Sequence, residues 1–415
     1  MHDWNRAQPD CESDIACIGL MPEDIHDVPG RSIPTQAQVI NQRSLNVLTE
    51  VLSVAEINGS SQFIPTNHTR ESLLDRPFHI YDEEFLEIIG SNSTLTLISK
   101  TEGNPMFHEA AIWHPPTDEM FFCQNAGALA AGTGLKKSAI IQKISLSDIN
   151  PSITSQRNAT GLVKVEIVNS EVAVINPNGG TNYKDQILFL GEGQGDNIPP
   201  AIYLMSPQPP YKTKVILDNF FGRQFNSLND ASINPRNGEI YFTDPTYGHA
   251  QDFRPPPGLP KQVWRFNPDT GAVRVAADGF IMPNGIAFSS TGAHVYITDS
   301  AMAQGFANSN FSYPASIYRY DVQQDGTFEN RKTFAFVSPG IPDGIHCDTK
   351  GNVYAGCGDG VHVFNPSGKL LGKIHIGGTV ANFGFAGKGR MVILAETELY
   401  FATLAAEGAF PGKLY

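Results

Sequence analysis

The chain has 415 residues, enough for one large domain or two ordinary domains with a full-sized core. Hydrophobic residues make up 41% of it and charged residues 17%, an ordinary globular composition, and the formal net charge is −13. Because the sequence has no basic cluster and no apolar run of about 18 residues, it predicts no nucleic-acid partner, no anionic-membrane partner and no transmembrane helix.

Residues 1–34 are polar and acidic and lack the apolar stretch of a secretory signal, so we expect a flexible leader. Secretion nevertheless stays open, because Asn-x-Ser/Thr sequons occur at Asn58, Asn67, Asn92, Asn158 and Asn310. The five cysteines are too scattered for a disulfide framework or a zinc ribbon. Cys11 and Cys17 could pair in an oxidising compartment. Compartment and oligomeric state are not specified by these features.

Residues 35–104 are expected to close or decorate the main domain. Segment 35–52 has apolar residues near helical spacing but also fits a strand that closes the fold, and 78–89 fits a short helix or a turn. From residue 105 to 415 the pattern changes to short runs rich in Val, Ile, Phe and Tyr, such as "EIYFTDP", "HVYITDS" and "NVYAGCG". Turn sequences such as "PRNGE" and "SSTGA" separate these runs. The region is therefore predicted to be all-β.

A repeat within this region decides between a β-sandwich and a β-propeller. Each unit begins its first strand with an oxygen-bearing side chain, and these residues are Glu109, Asn178, Asn229, Asn284, Asp343 and Asn382. Their spacing accommodates about one four-stranded sheet per unit. A sandwich would need fewer strands. The sequence predicts a six-bladed β-propeller with four-stranded blades around a central metal-binding channel.

The metal prediction follows from how propellers are built. The first strand of each blade lines the channel, so residues at one register of the repeat converge on the axis. The six side chains offer oxygen only, which suits a hard cation such as Ca²⁺, and Glu109 and Asp343 balance its 2+ charge. Asn or Asp before Gly is also a common turn former, so one "PNG" or "PDG" alone would indicate a turn. Recurrence at one register, together with Glu109, favours a shared metal centre for Ca²⁺ or another divalent cation.

Several motifs resemble the SMP-30/gluconolactonase/lactonase-like family, among them "FHEAAIW", "FNSLNDASINPRNGEIYFTDPTYG", "MPNGIAFSSTGAHVYITD" and "IPDGIHCDTKGNVYAGCGDG". The resemblance covers residues 35–415 and is strongest to fungal lactonohydrolases, which open aldonolactones and pantoyl-type lactones. It implies that the metal ligands are Glu109, Asn229, Asn284 and Asp343. In some relatives the residue at the position of Asn229 serves the substrate instead. An Arg found in some relatives two positions earlier is Ser227 here, so Arg223 is a candidate replacement.

The predicted activity is calcium-dependent lactone hydrolysis, a carboxylic ester hydrolase reaction on a small-molecule lactone. The ion would stabilise the oxyanion that forms when water attacks the carbonyl carbon. Asp343 is the first candidate for the general base, because its carboxylate can contact both ion and water. His108 is the second, although alternation along a strand would turn it away from the side of Glu109. Substrate contacts are expected from Asn178, Arg223, Asp244, Tyr247, Gln124, Asn125 and Asn382.

Two other classes stay open. The same metal propeller could serve an isomerase, cyclase or esterase reaction on a secondary metabolite. A non-catalytic binding propeller is a further alternative, but it has no need for two carboxylates and several amides around one axis. The sequence contains no G-x-S-x-G nucleophile elbow and no Walker A loop, and "GEGQG" and "GCGDG" do not match a dinucleotide-binding pattern.

Overall fold

The computed structural model describes residues 33–48, 50–53, 63–306 and 309–409. The expected leader, except for residues 33 and 34, and the suggested Cys11–Cys17 pair lie outside the described residues. Of the helices in the described part of the chain, none has the length and apolar character needed to cross a membrane.

Short elements precede the first complete sheet. They are β1 (Ala37–Val39), a 3-10 helix (Gln42–Leu45), α1 (Arg70–Asp75), β2 (Phe78–Ile80), α2 (Phe85–Ile89) and β3 (Thr94–Lys100). The ambiguous segment 35–52 thus contains a short strand and a 3-10 helix, and 78–89 contains both a strand and a helix.

The predicted six-bladed β-propeller is confirmed, because the described strands form six sheets of at least four strands each. Blade 1 contains β4 (Glu109–His114), β5 (Glu119–Cys123), β6 (Ile141–Ser145) and β7 (Glu166–Val168). Blade 2 contains β8 (Pro177–Tyr183), β9 (Gln186–Gly191), β10 (Ala201–Met205) and β11 (Thr213–Leu217). Blade 3 contains β12 (Ala231–Ile233), β13 (Ile240–Asp244), β14 (Gln262–Asn267) and β15 (Ala272–Ala277).

The remaining blades follow the same order. Blade 4 contains β16 (Pro283–Phe288), β17 (His294–Asp299), β18 (Ser316–Val322) and β19 (Phe328–Phe336). Blade 5 contains β20 (Ile345–Cys347), β21 (Val353–Cys357), β22 (Gly360–Phe364) and β23 (Leu370–His375). Blade 6 contains β24 (Asn382–Phe385), β25 (Lys388–Ala395) and β26 (Glu398–Glu407), with β3 as its fourth strand. Connecting loops hold a 3-10 helix (Leu146–Asp148), α3 (Pro151–Thr154) and α4 (Tyr247–Ala250).

The first strand of every blade faces the axis, and these inner strands form a closed ring. β4 contacts β8, and the contacts continue through β12, β16, β20 and β24 back to β4. The ring closes because β3, from early in the chain, pairs antiparallel with β26 and places Lys100 opposite Glu398. β1 and β2 do not close the ring but extend blade 5 to six strands.

The inner strands approach one another closely at glycines. Gly285 lies within β16, and a Cβ built there would lie 2.5 Å from the carbonyl oxygen of Asp343 in blade 5. A Cβ at Gly344 would lie 2.5 Å from the side chain of Asn382 in blade 6. The glycine of "PNG" in blade 4 therefore belongs to a strand and allows the next blade to approach, whereas the turn interpretation would have placed it in a loop.

A cluster of ionisable side chains is buried in the outer half of blade 5. Asp359 accepts hydrogen bonds from His362 Nε2 at 2.6 Å and from Lys373 Nζ at 2.9 Å. Burial alone would raise the pKa of Asp359, but His362 and Lys373 hold it well below its usual range. His79 of β2 stacks on His375 of β23 with ring centroids 4.6 Å apart, and burial lowers the pKa of His79 to about 3. The attachment of β2 therefore includes a buried neutral imidazole.

Candidate metal centre and active site

The polar residues that start the inner strands lie together at one end of the axis. We call Glu109, Asn178, Asn229, Asn284, Asp343 and Asn382 the axial set. Glu109, Asn178 and Asn284 each lie within the first two residues of a strand that carries a one-residue bulge, between Glu109 and Ile112, between Pro177 and Gly180, and between Pro283 and Ile286. A bulge redirects side chains at a strand end. The same bulge thus recurs in blades 1, 2 and 4, beside the candidate site.

The sequence predicts one register for the axial set, but the structure places Glu109 and Asn382 outside the register of the others. Glu109 pairs with the end of β5, whereas Asn178 and Asn284 each follow the proline that pairs at that point in their own blades. Glu109 is therefore one position early. In blade 6, Ala381 donates to the Leu394 carbonyl as Asp343 donates to the Gly356 carbonyl in blade 5, so Asn382 is one position late.

Hydrogen bonds connect the axial set from blade to blade. Gly179 N–H donates to the Asn229 carbonyl at 2.7 Å, which joins blades 2 and 3. The threonines of the repeated "TD" sequences continue this pattern, with Thr243 Oγ1 donating to the Asn284 carbonyl at 2.7 Å and Thr298 Oγ1 donating to the Asp343 carbonyl at 3.0 Å. Between blades 6 and 1, Asn382 Nδ2 donates to Glu109 Oε2 at 2.9 Å. These bonds fix the positions of the axial side chains.

The oxygen atoms of the axial set are short of partners. Oδ1 of Asn178, Asn229 and Asp343 is buried in each case without a hydrogen-bond partner in the described part of the chain. Each such acceptor costs about 1–3 kcal/mol if it stays unpaired. Burial and the mutual repulsion of the two groups raise the pKa of Glu109, and burial raises that of Asp343. A bound cation would relieve both conditions.

The donor set fits a hard divalent cation. Two carboxylates and several amide oxygens are the ligands that Ca²⁺ takes, and the axial set offers neither sulfur nor imidazole nitrogen. Within the described residues, no group of three or more His, Cys, Asp and Glu side chains could hold a metal ion, so the fit depends on the amides as well. Asp230 is not a further ligand, because its two oxygens accept the N–H groups of Ala231 at 2.8 Å and Ile286 at 3.0 Å.

His108 faces the axial set, and the expectation that strand alternation turns it away is wrong. Its Nδ1 lies 2.9 Å from Glu396 Oε1, and its Nε2 lies 3.9 Å from Glu109 Oε1. Alternation does not apply because His108 precedes β4, in a segment where the N–H of Phe107 donates to the Glu396 carbonyl instead. Burial alone would lower the pKa of His108, but Glu396, Glu109 and Asp343 raise it to about 10.

Glu396 reaches His108 from the turn between β25 and β26. Its own φ is 61°, and its carbonyl accepts the N–H of Phe107 at 2.9 Å, which joins the turn to blade 1. Burial would raise the pKa of Glu396, but the neighbouring His108 lowers it. Asn125 Nδ2 lies 3.2 Å from His108 Nδ1, so Asn125 is close to the same pair. The Oδ1 of Asn125 and the Oε1 of Gln124 are both buried without partners among the described residues.

Asn178 belongs to a second polar group. Its Nδ2 donates to Glu192 Oε1 at 2.8 Å, and Ser227 Oγ donates to Glu192 Oε2. Burial raises the pKa of Glu192 to about 7. Ser227, at the position where some relatives have Arg, therefore contacts a carboxylate beside the axial set.

Of the other expected substrate contacts, only Tyr247 lies beside the axial set. Asn284 Nδ2 donates to Tyr247 Oη at 3.4 Å, and burial raises the pKa of Tyr247. Asp244 is fully buried and accepts the N–H groups of Asn226 and Ser227, each at 2.9 Å, so it holds the loop before β12. Arg223 is exposed and donates to a loop carbonyl. These two placements do not support the expected contacts of Asp244 and Arg223 with substrate hydroxyls.

Glu192 and Glu396 were not identified from the sequence. Each follows directly after the end of a strand, in "FLGEGQG" and "ILAETE". The available signal was their place directly after the second strand of a blade, one position beyond the Asp of "TD" that ends this strand in blades 3 and 4. That position opens on the same end of the propeller as the start of the inner strand.

A cavity of about 760 Å³ lies at the other end of the axis. Its lining includes Ile112, Thr181, Ser232, Phe288 and Phe385 from the later parts of inner strands. None of the axial set is among its described lining residues. The ring of His346, which also lines it, packs edge-to-face on Phe383 with centroids 5.1 Å apart. This cavity is separate from the candidate active site.

Comparison with known proteins places the chain in a family. The model of the SMP-30/Gluconolactonase/LRE-like region matches residues 152–397, more than half of the chain. A lactonohydrolase of Aspergillus oryzae, oryL, is 26% identical over 347 residues, covering 79% of this chain and 73% of that protein.

Two solved structures share the fold. A gluconolactonase of Xanthomonas campestris superposes with a TM-score of 0.61 at 21% identity, covering 79% of this chain and 94% of that one. Regucalcin of Agrobacterium tumefaciens, described as a calcium-binding protein, has a TM-score of 0.50 at 12% identity and covers 76% of this chain and 97% of its own.

Proposed function

The chain belongs to the SMP-30/gluconolactonase/LRE-like family, and on that basis we propose that it opens small lactones by hydrolysis with a bound Ca²⁺. The observation that carries the proposal is the group of unpartnered oxygens on Asn178, Asn229 and Asp343 beside a second carboxylate, Glu109. The relatives add support, since they include a lactonohydrolase, a gluconolactonase and a calcium-binding protein.

The proposed ligands of the ion are Glu109, Asn229, Asn284 and Asp343. A bound Ca²⁺ would supply a Lewis acid for the lactone carbonyl. Asn382 holds Oε2 of Glu109 by a 2.9 Å hydrogen bond, which leaves Oε1 for the site. The free amide oxygen of Asn178 lies next to this group and is a candidate for a further contact to ion, water or substrate.

We assign proton transfer to His108 and the ligand role to Asp343. Glu396 holds Nδ1 of His108 at 2.9 Å, so Nε2 is directed to the site, at 3.9 Å from Glu109 Oε1. Glu109 and Asp343 contribute to the raised pKa of His108, and a bound Ca²⁺ would offset their charges, so we propose that the imidazole is neutral in the loaded site. In the reaction, Nε2 then takes a proton from the attacking water as the new C–O bond forms. The same proton then passes to the ring oxygen as the acyl C–O bond breaks, giving a hydroxy acid. The imidazole is therefore neutral again after each turnover.

Three further side chains are proposed to position the substrate. Tyr247 lies against Asn284, and its hydroxyl can hydrogen-bond a lactone oxygen. The unpartnered oxygens of Gln124 and Asn125 can accept hydrogen bonds from water or from a substrate hydroxyl next to His108. Binding energy from such contacts would hold the carbonyl carbon within reach of the attacking water.

The proposal is tested by following acid release in a pH-stat with Ca²⁺ present. The substrates are glucono-1,5-lactone, D-pantoyl lactone and γ-butyrolactone, each compared with its spontaneous hydrolysis. We expect turnover of at least one lactone that is lost in His108→Ala. A folded protein that binds Ca²⁺ yet hydrolyses no lactone would overturn the hydrolase assignment and favour isomerase or cyclase chemistry at the same site.

A further inference from the structure

Four loops surround the end of the channel at which the axial set lies. They connect the second and third strands of blades 1 to 4 and comprise residues 124–140, 192–200, 245–261, and 300–315 without 307 and 308. We call them the mouth loops. Because the inner strands of a propeller begin at the end where these connections open, a substrate approaching the axial set passes between them.

The mouth loops pack against one another and form a continuous wall. Gly195 N–H of blade 2 donates to the Phe253 carbonyl of blade 3 at 2.8 Å. Phe306 N–H of blade 4 donates to the Ala250 carbonyl of blade 3 at 3.1 Å. A Cβ built on Gly127 of blade 1 would come within 2.9 Å of the Phe253 ring, so blades 1 and 3 also meet here.

Several polar side chains on and near these loops are bound within the protein. Arg254 donates to the Ile198 carbonyl at 2.9 Å and to the side chain of Gln224 at 2.7 Å. Arg223 donates to a loop carbonyl, and Asp244 is fully buried. Beyond Gln124 and Asn125 next to His108, a polyhydroxylated lactone would need further donors and acceptors, which Arg223, Asp244 and Arg254 do not offer because their polar atoms are already bound.

Two of the mouth loops, those of blades 1 and 4, expose large apolar side chains beside charged ones such as Lys136 and Lys137. Leu129 is 79% exposed, Leu135 52% and Phe306 43%. Leu135 lies against the blade 2 loop, with Cδ1 3.6 Å from the Cβ position of Gly195. Single exposed hydrophobic residues are common, but several on loops around one channel indicate a surface that binds apolar groups.

We propose that the natural substrate is a lactone whose ring carries an apolar substituent of several carbons. This inference rests on the proposed lactone hydrolysis and names its substrate class. The ring would lie at the axial set, and the substituent would lie along Leu129, Leu135 and Phe306. Burying one methylene group on this wall should raise kcat/KM by up to about fourfold.

The test is a chain-length series on the Ca²⁺-loaded full chain: γ-butyrolactone, γ-hexalactone, γ-octalactone and γ-decalactone, with glucono-1,5-lactone alongside. We expect kcat/KM to rise with each added pair of methylenes, by about fifteenfold per pair at most. Equal kcat/KM along the series, or a preference for glucono-1,5-lactone, would overturn the inference while leaving lactone hydrolysis intact. No turnover of any member would overturn the proposed function, and this inference with it.

A double substitution tests whether the mouth loops bind the apolar substituent. Leu129→Ser combined with Leu135→Ser should lower kcat/KM for γ-decalactone about tenfold or more and leave γ-butyrolactone unchanged. The matched control is Leu162→Ser, which changes a side chain that is 58% exposed on the connection between β6 and β7, at the other end of blade 1. If the double variant and the control retain the same chain-length dependence, the mouth loops do not select the substrate.

Discussion

Nδ1 of His108 lies 2.9 Å from Oε1 of Glu396, and the two residues come from blades 1 and 6. A carboxylate that accepts from one imidazole nitrogen fixes the ring orientation and leaves the other nitrogen for proton transfer. The pair joins the first and last blades of the ring at the level of the axial set. Closing the propeller through β3 and assembling the proposed site are therefore coupled in this chain.

Removing the charge of Glu396 tests its positioning role. Glu396→Gln should lower kcat for lactone hydrolysis about 100-fold with little change in KM, because the substrate contacts remain while His108 loses its fixed orientation. Steady-state kinetics and a thermal unfolding curve of the same preparation provide the measurement. A parallel loss of unfolding temperature, with kcat unchanged, would show that Glu396 is only structural.

Glu398 provides a matched control for this substitution. It lies two residues further along, is partly exposed and forms a surface ion pair with Lys100 at 2.7 Å. Glu398→Gln should leave kcat within about twofold, since an exposed ion pair contributes about 0–1 kcal/mol to stability and nothing to the site.

Asp343 is predicted to hold the ion through its unpartnered oxygen. Asp343→Asn keeps the shape of the side chain but removes one of two negative charges, so the dissociation constant for Ca²⁺ should rise at least tenfold. Isothermal titration of chelator-treated protein with CaCl₂ measures it. Asp185→Asn, an exposed Asp at the other end of the axis, is the control and should bind as the unchanged protein does. Equal affinity in Asp343→Asn would contradict the ligand assignment.

The close approach of blades 4 and 5 predicts an effect on stability. Gly285→Ala places a methyl group 2.5 Å from the Asp343 carbonyl oxygen and should lower the free energy of unfolding by about 1–3 kcal/mol. Gly258→Ala is the control, because a Cβ there meets no described atom within 4 Å. It should change the free energy of unfolding by less than about 0.5 kcal/mol. Denaturant titrations of both variants measure these changes. Equal losses of unfolding free energy in the two variants would contradict the prediction.

Stability should fall in acid through His79. Its pKa is about 3 in the folded state because of burial, against 6.5 for an ordinary imidazole, so the unfolded chain binds the extra proton below pH 6.5. Proton binding by the unfolded chain at His79 therefore lowers the free energy of unfolding by about 2–3 kcal/mol between pH 6.5 and 4.5. His79→Gln cannot titrate and should make the stability less dependent on pH over this range. If the unfolding midpoint of His79→Gln depends on pH as that of the unchanged protein does, His79 is not the source of the acid destabilisation.

Much of the fold follows from the repeat in the sequence. "FTDP" and "ITDS" recur because Thr243 and Thr298 each support the next blade and because the following Asp holds the loop into its own inner strand. Such recurrence predicts blade number and the end at which polar residues collect. The strand that closes the ring is harder to identify from the sequence. The residues of β3 have the pattern of any strand, and its pairing with β26 is set only when the ring closes at long range.

The site was predicted less completely, for physical reasons. The direction of His108 depends on the pairing of Phe107 and His108 with Glu396 of blade 6, which no residue pattern predicts. Glu192 and Glu396 enter the site from turns of other strands, so only the folded ring brings them to Asn178 and His108. The role of Ser227 likewise emerges only from its contact with Glu192.

Calcium-dependent lactone hydrolysis is tested most directly by measuring activity before and after removal of Ca²⁺. The purified full chain is assayed by pH-stat on the most reactive lactone, then after EGTA and dialysis, and again after Ca²⁺ is restored. We expect activity to be lost with the ion and recovered with it, in proportion to bound calcium measured by elemental analysis. Full activity in protein shown to be free of divalent metal would contradict it.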